Sequence, residues 1–185
     1  METPPPQPAE ALPPAVPASA VNGPPVFRPE YLTFQLGGAP FALPIKGIRE
    51  VVGCLPITEV PGMPLFLRGV MNLRGVVMPV IDLRVRLGLA PARATRRSCI
   101  VIVELEDGGL AVPVGLLVDA VQAVLGADDA VEELPQPEGG SLPETGAVLP
   151  PGFVDCELLL DGRRTTLLHT GRALSIEELK EGMLQ

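Results

Sequence analysis

Residues 66–84 have the sequence FLRGVMNLRGVVMPVIDLR, an apolar run that only a few polar side chains interrupt. A polar group that is buried without a partner costs roughly 1–3 kcal/mol, and an unpaired charge costs more. The side chains of Asn72, Arg74 and Asp82 therefore each need a partner, either within the chain or on another molecule. This stretch is therefore the first indication of both the fold and the function of the chain.

Alternating apolar segments on either side of glycine-containing turns predict four β-hairpins. The turns are Gly37-Gly38, Arg74-Gly75, Asp107-Gly108-Gly109 and Asp161-Gly162. Glycine and aspartate suit such turns because tight hairpins require backbone conformations with positive φ. Helical patterns are limited to a turn or two at Arg84–Leu89 and a capping-box pattern at Ser175–Glu178. The sequence thus predicts an all-β fold with a few short helices.

The chain also contains an internal repeat. Residues 42–52 align without a gap on residues 111–121, and in each copy a carboxylate, Glu50 or Asp119, follows six residues after a shared proline. Both copies then continue to a second hairpin. Two copies of this pattern predict two small β-barrels of about five strands each.

The predicted organisation has three parts. Ten of the 23 prolines lie in residues 1–29, a segment that has no aromatic residue before Phe27 and cannot bury enough surface to order itself, which predicts a disordered tail. The folded part is predicted over residues 30–173, with the first barrel at about 30–90 and the second at about 98–173, and strand exchange between them is left open. Residues 174–185 are predicted to form a short C-terminal helix.

Charge is divided unevenly along the chain. Residues 28–103 carry ten Lys and Arg against four Asp and Glu, and residues 104–185 carry four against sixteen, so the net charges are +6 and −12. A basic first barrel and an acidic second barrel would favour head-to-tail contact with a neighbour, whereas a simply solvated acidic surface is the alternative. The total net charge of −8 and the 3% aromatic content argue against a nucleic-acid partner.

No pattern typical of catalysis, metal binding or membrane insertion is present in the sequence. The single histidine, His169, has no nucleophile motif, and it takes the place in the second copy that Asp82 holds in the first, which favours a structural role. The three cysteines are too far apart for a metal or redox motif. We therefore expect no catalytic residue, metal, cofactor, signal peptide or membrane span, and a cytoplasmic location.

Residues 68–84 resemble the signature of CheW, the family of bacterial chemotaxis coupling proteins, in which GVxNLRG precedes an apolar strand and then DLR. The resemblance extends over about residues 30–173. It implies two five-stranded SH3-like barrels and a non-catalytic adaptor that is recruited to receptor arrays. The implied partners are the cytoplasmic tip of a methyl-accepting chemoreceptor and the regulatory domain of a CheA-type histidine kinase.

The resemblance also implies a role for particular residues. The receptor contacts are Ile48 and Glu50 on a first short helix, and Asn72 and Arg74 at the hairpin. The structural motif comprises Gly69, Gly75, Asp82, Arg84 and Asp119. Kinase contacts in the family have no short motif, so no residue is assigned to them.

The residues themselves leave alternatives open at these positions. Asn72 could complete the turn through its side chain, and Arg74 could pair with Glu50 or Asp82 within the fold. We favour a partner role for Arg74 because Gly75 is expected to meet the conformational need of the turn. Ile48 is equally compatible with a core and an interface position. A small-molecule-binding β-barrel is the alternative function, and an unrecognised hydrolase is a distant third.

Overall fold

The structure is a computed structural model that describes residues 29–126, 132–134, 149–150 and 152–174. In this part of the chain there are eleven strands and two one-turn helices. The strands are β1 (Glu30–Leu36), β2 (Ala39–Pro44), β3 (Ile48–Gly53), β4 (Leu67–Leu73), β5 (Val76–Asp82), β6 (Cys99–Asp107), β7 (Leu110–Val118), β8 (Ala120–Gly126), β9 (Glu132–Leu134), β10 (Val154–Leu160) and β11 (Arg163–Leu168). The helices are α1 (Leu83–Arg86) and α2 (Thr170–Ala173). The predictions for the tail and for Ser175–Glu178 fall outside the described residues.

All four predicted hairpin turns are confirmed. They join β1 to β2, β4 to β5, β6 to β7 and β10 to β11, and in each turn both central residues have positive φ. This is the turn geometry that matches the twist of paired strands. Glycine takes most of these positions, and the exceptions are Arg74 with φ 53° and Asp161 with φ 48°.

The strands form two sheets, and each sheet draws on both halves of the chain. The five-stranded sheet has the order β3-β6-β7-β5-β4, and the six-stranded sheet has the order β8-β1-β2-β11-β10-β9. Strand β3 pairs with β6 of the second half, and β8 pairs with β1 of the first half. The all-β prediction is confirmed, with the three-residue β9 as a sixth strand where five were expected.

Alternation along the strands divides the apolar residues among three clusters. In β6, Val101 and Val103 belong to a large cluster shared by both sheets, whereas Ile100 and Ile102 belong to a smaller cluster within the five-stranded sheet. A third cluster lies within the six-stranded sheet and includes Leu158. Each sheet therefore curls around a core of its own, as a small barrel does, and the shared cluster joins the two.

The two halves of the chain repeat their hydrogen bonds as well as their sequence. The backbone N–H of Asp82 donates to the carbonyl of Phe66 at 2.7 Å, and that of His169 donates to Phe153 at 2.9 Å. The Asp82 side chain then caps α1, and the His169 side chain caps α2 by accepting from the N–H of Arg172 at 3.1 Å. The structural role predicted for His169 is confirmed.

The short helix predicted for Ile48 and Glu50 is wrong. These residues lie in strand β3, which pairs with β6 and has a bulge between them. The segment contains three β-branched residues, which favour a β-strand. Its partner strand, however, lies about 50 residues further along the chain. Local sequence patterns cannot reveal so distant a partner.

Strand exchange also changes the distribution of charge. The five-stranded sheet contains Arg49 and Arg68 from the basic half, together with Glu104, Glu106 and Asp107 from the acidic half. The sheets are therefore not one basic and one acidic barrel, and the prediction of such a division is wrong.

Candidate functional site

The turn between β4 and β5 places Arg74 at the surface. The Arg74 side chain is 74% exposed, and its Nη1 atom lies 3.0 Å from Oε1 of Glu50, whose side chain is 24% exposed. Glu50 lies on β3 and Arg74 follows β4, and these strands are opposite edges of the five-stranded sheet. The ion pair therefore connects the two edges of the curled sheet.

Asn72 stabilises the same turn. Its Oδ1 accepts a hydrogen bond from the N–H of Gly75 at 2.8 Å. A hydrogen bond of this kind was one of the two roles left open for Asn72 by the sequence. It stabilises the turn conformation from which the Arg74 side chain projects. Ile48, the fourth predicted contact residue, is half-buried and packs against the cluster shared by the sheets.

The Glu50–Arg74 pair borders a shallow pocket of about 150 Å³. Leu73, Val76 and Met78 are apolar residues in its lining, and Val76 is 44% exposed. The neighbouring Val77 is 64% exposed. An apolar floor with a charged rim is the composition of a protein-docking patch. Pockets for drug-sized ligands are larger, at about 300–1,000 Å³.

Gly69 allows the chain before β4 to approach this hairpin closely. Its φ is 139°, and a Cβ atom at this position would overlap the carbonyl oxygen of Thr58. Thr58 exchanges two backbone hydrogen bonds with Val70, at 2.8 and 2.9 Å. A side chain at Gly69 would therefore disrupt this bridge.

Asp82, Arg84 and Asp119 form a separate group where the two halves of the chain meet. Asp82 is buried and accepts hydrogen bonds from the N–H groups of Arg84 and Val85. Arg84 Nη1 lies 2.7 Å from Asp119 Oδ2, which also accepts from the N–H of Gly37 at 2.8 Å. Asp119 thus ties α1 to the β1–β2 turn, whereas its repeat counterpart Glu50 pairs with the exposed Arg74.

Arg86 and two phenylalanines form a contact that the sequence analysis did not identify. The Arg86 guanidinium carbon lies 4.7 Å from the ring centroid of Phe66 and 4.8 Å from that of Phe153. Its Nε donates to the carbonyl of Ala173 at 2.9 Å. The two rings precede β4 and β10, so the internal repeat could have identified them as equivalent.

Among the residues that the structure describes, no three His, Cys, Asp or Glu side chains are grouped so that they could hold a metal ion. No helix among those residues is both long and apolar enough to cross a bilayer.

Comparison with known proteins shows which family the chain resembles. The CheW-like domain family matches residues 30–177, which include every residue of the site. The chain belongs to the CheW-like family. Its relatives include a probable chemotaxis protein CheW of Rhizobium etli, which is 37% identical over 140 residues that cover 76% of this chain and 83% of the relative.

Other relatives of this CheW-like chain match shorter segments. CheW of Rhizobium meliloti is 38% identical over 100 residues, which cover 54% of this chain and 62% of that protein. Protein PilI of Pseudomonas aeruginosa is 35% identical over 114 residues, which cover 60% and 61%. The crystal structure of the scaffolding protein TtCheW from Thermoanaerobacter tengcongensis aligns with a TM-score of 0.63 and 29% identity, over 80% of this chain and 88% of that one.

Proposed function

We propose that this protein is a non-catalytic scaffold that couples methyl-accepting chemoreceptors to a CheA-type histidine kinase. Membership of the CheW-like family supports the proposal, as does the similarity to a structure described as a scaffolding protein. The scaffold acts in the cytoplasm, where receptor arrays recruit it. Its function depends on protein contacts, and no bond chemistry is assigned to any of its residues.

The backbone conformation of Arg74 is the observation that carries the proposal. A residue other than glycine costs roughly 1–2 kcal/mol in a left-handed conformation. An exposed ion pair such as Arg74–Glu50 contributes only about 0.2–1 kcal/mol. Stability alone therefore does not explain an arginine at φ 53°. Backbone strain of this kind occurs preferentially at functional sites.

The receptor site in this proposal comprises Ile48, Glu50, Asn72 and Arg74. The Arg74 guanidinium offers several donors in a rigid plane, which suits a carboxylate or the terminal carbonyls of a helix on the receptor tip. Glu50 orients the guanidinium, and Asn72 holds the turn. Ile48 supports the strand on which Glu50 lies. No residue is assigned to contact with the kinase regulatory domain.

The alternative of a small-molecule-binding barrel has less support. The described surface pockets beside Arg74 and on the six-stranded sheet have volumes of about 150 and 140 Å³. Both volumes are below the range typical of ligand sites. The arrangement of an exposed cation, a carboxylate and exposed valines suits a protein surface better.

A binding experiment tests the receptor site. An Arg74→Ala variant and an Arg68→Ala control are compared in their affinity for a receptor-tip fragment. Arg68 is a half-exposed arginine on the same hairpin, and it lies 3.8 Å from Glu59. We expect Arg74→Ala to weaken binding about tenfold or more, as loss of an interface hot spot does, and Arg68→Ala to leave it nearly unchanged. Equal affinities of the two variants would contradict the assignment.

A further inference from the structure

The loop between α1 and β6 carries three arginines that have no partner within the fold. Arg93, Arg96 and Arg97 lie close together in the sequence, and all three are exposed. Their side chains form no hydrogen bond or ion pair with any described residue. No acidic residue lies between Asp82 and Glu104. The loop, residues 91–98, is therefore a basic surface on a chain whose net charge is −8.

Arginines at other places in the described residues are paired with carboxylates. A carboxylate oxygen lies 2.7–3.3 Å from the Nη1 atom of four of them, Arg49, Arg74, Arg84 and Arg164. The three arginines of the basic loop repel one another instead, because like charges lie near each other without a counter-charge. A partner that supplies negative charge would remove this repulsion.

A turn at residues 95–98 holds the backbone of the basic loop. The N–H of Ser98 donates to the carbonyl of Thr95 at 3.1 Å, and the N–H of Thr95 donates to Oγ of Ser98 at 2.8 Å. Oγ1 of Thr95 accepts a hydrogen bond from the N–H of Arg97 at 3.2 Å. Ser98 is buried, and strand β6 begins at the next residue. Because the backbone is already held, less conformational entropy is lost when Arg96 and Arg97 bind a partner.

The shape of this surface favours an extended partner over a small anion. The described pocket that Arg93 lines together with Asp119 has a volume of only about 10 Å³. This is room for about one water molecule, so the pocket does not enclose an anion such as phosphate. Each exposed guanidinium can instead bind one carboxylate through two parallel hydrogen bonds. A polypeptide segment with several carboxylates can contact all three arginines at once.

Nucleic acids and membranes fit the basic loop less well than an acidic polypeptide does. Single-stranded nucleic acids are bound with aromatic side chains that stack on the bases, and residues 67–152 contain no Phe, Tyr or Trp. Binding to a membrane surface uses large apolar side chains that insert beside the basic ones. The exposed large apolar side chains of the described residues all lie outside the loop, at Val51, Leu65, Val76, Val77, Leu110 and Val124.

We propose that the basic loop binds a segment of a partner protein that is rich in Asp and Glu. This contact is separate from the proposed receptor site, because none of the four residues of that site belongs to the loop. Charges are screened over about 8 Å at physiological ionic strength, so the partner interacts mainly with the loop and little with distant acidic residues. Each exposed ion pair changes affinity only about two- to fivefold, so three of them give a weak and reversible contact.

A peptide-binding experiment on the full chain tests the proposal. The probe is a fluorescein-labelled octapeptide of alternating Glu and Asp, and fluorescence anisotropy measures its affinity. An octapeptide of Gln and Asn is the neutral counterpart. The loop variant combines Arg93→Gln, Arg96→Gln and Arg97→Gln. The control variant removes the same charge from exposed arginines elsewhere, through Arg49→Gln, Arg68→Gln and Arg163→Gln.

We expect the acidic peptide to bind the unsubstituted chain and the neutral peptide not to bind, and added salt to weaken the binding. The loop variant should bind about tenfold more weakly or worse, because three ion pairs are lost, whereas the control variant should change affinity less than about twofold. The proposal would be overturned if the acidic peptide did not bind or if the two variants bound it equally. Stronger binding to duplex DNA or to phosphatidylglycerol vesicles, at an equal concentration of negative charge, would also overturn it.

Discussion

At Arg74 the turn favours a residue that tolerates positive φ, whereas the proposed partner contact requires an arginine side chain. The equivalent positions in the other three hairpins are held by glycine or aspartate, which tolerate positive φ more readily. Gly75 alone was expected to provide the required conformation, but a two-residue turn of this type needs positive φ at both positions. The location of the turn was therefore predictable, and the strain at Arg74 was not.

The strain at Arg74 leads to a prediction about stability. We expect Arg74→Asn to raise the free energy of unfolding by up to about 1 kcal/mol, because asparagine suits the turn and the lost ion pair contributes little. Urea denaturation measures the change. A decrease of more than about 1 kcal/mol would indicate that the Arg74 side chain is needed for the fold, and the argument from strain would fail.

Among the elements, the hairpins were predictable and their partners were not. The turns at Gly37-Gly38 and Asp161-Gly162 are local signals, and each was located correctly. The family resemblance led us to expect a helix at β3, and the partner of this strand, β6, belongs to the other half of the chain. The cap at Asp82 shows the same limit, since a short helix was predicted at Arg84–Leu89 but its cap by the Asp82 side chain became clear only from the structure.

Residues 58–59 approach β4 so closely that only glycine fits at position 69. We expect Gly69→Ala to lower the free energy of unfolding by about 2–4 kcal/mol, because the new methyl group overlaps the Thr58 carbonyl and alanine is strained at φ 139°. Gly53→Ala is the control, since Gly53 ends β3 with open space around its Cβ position. Thermal or urea unfolding of both variants measures the difference. Equal free energies of unfolding would show that the Thr58 segment can move to accommodate a methyl group at position 69.

At the scale of the whole molecule, the two halves are interleaved. Each sheet contains strands from both copies of the repeat, and the Arg86 guanidinium lies between the equivalent rings of Phe66 and Phe153. Arg84 and Asp119 connect the halves a second time. These contacts connect the two halves directly, so the Arg74 turn is anchored in a frame that both halves build.

Reconstituted kinase signalling shows whether the chain couples a receptor to a kinase through Arg74. A receptor-tip assembly and a CheA-type kinase are mixed with the unsubstituted chain or with Arg74→Ala, and kinase autophosphorylation is measured. We expect the receptor to alter kinase activity only when the unsubstituted chain is present, and Arg74→Ala to abolish most of this effect while retaining its fold. Receptor control that is equally strong without the chain, or undiminished with Arg74→Ala, would contradict it.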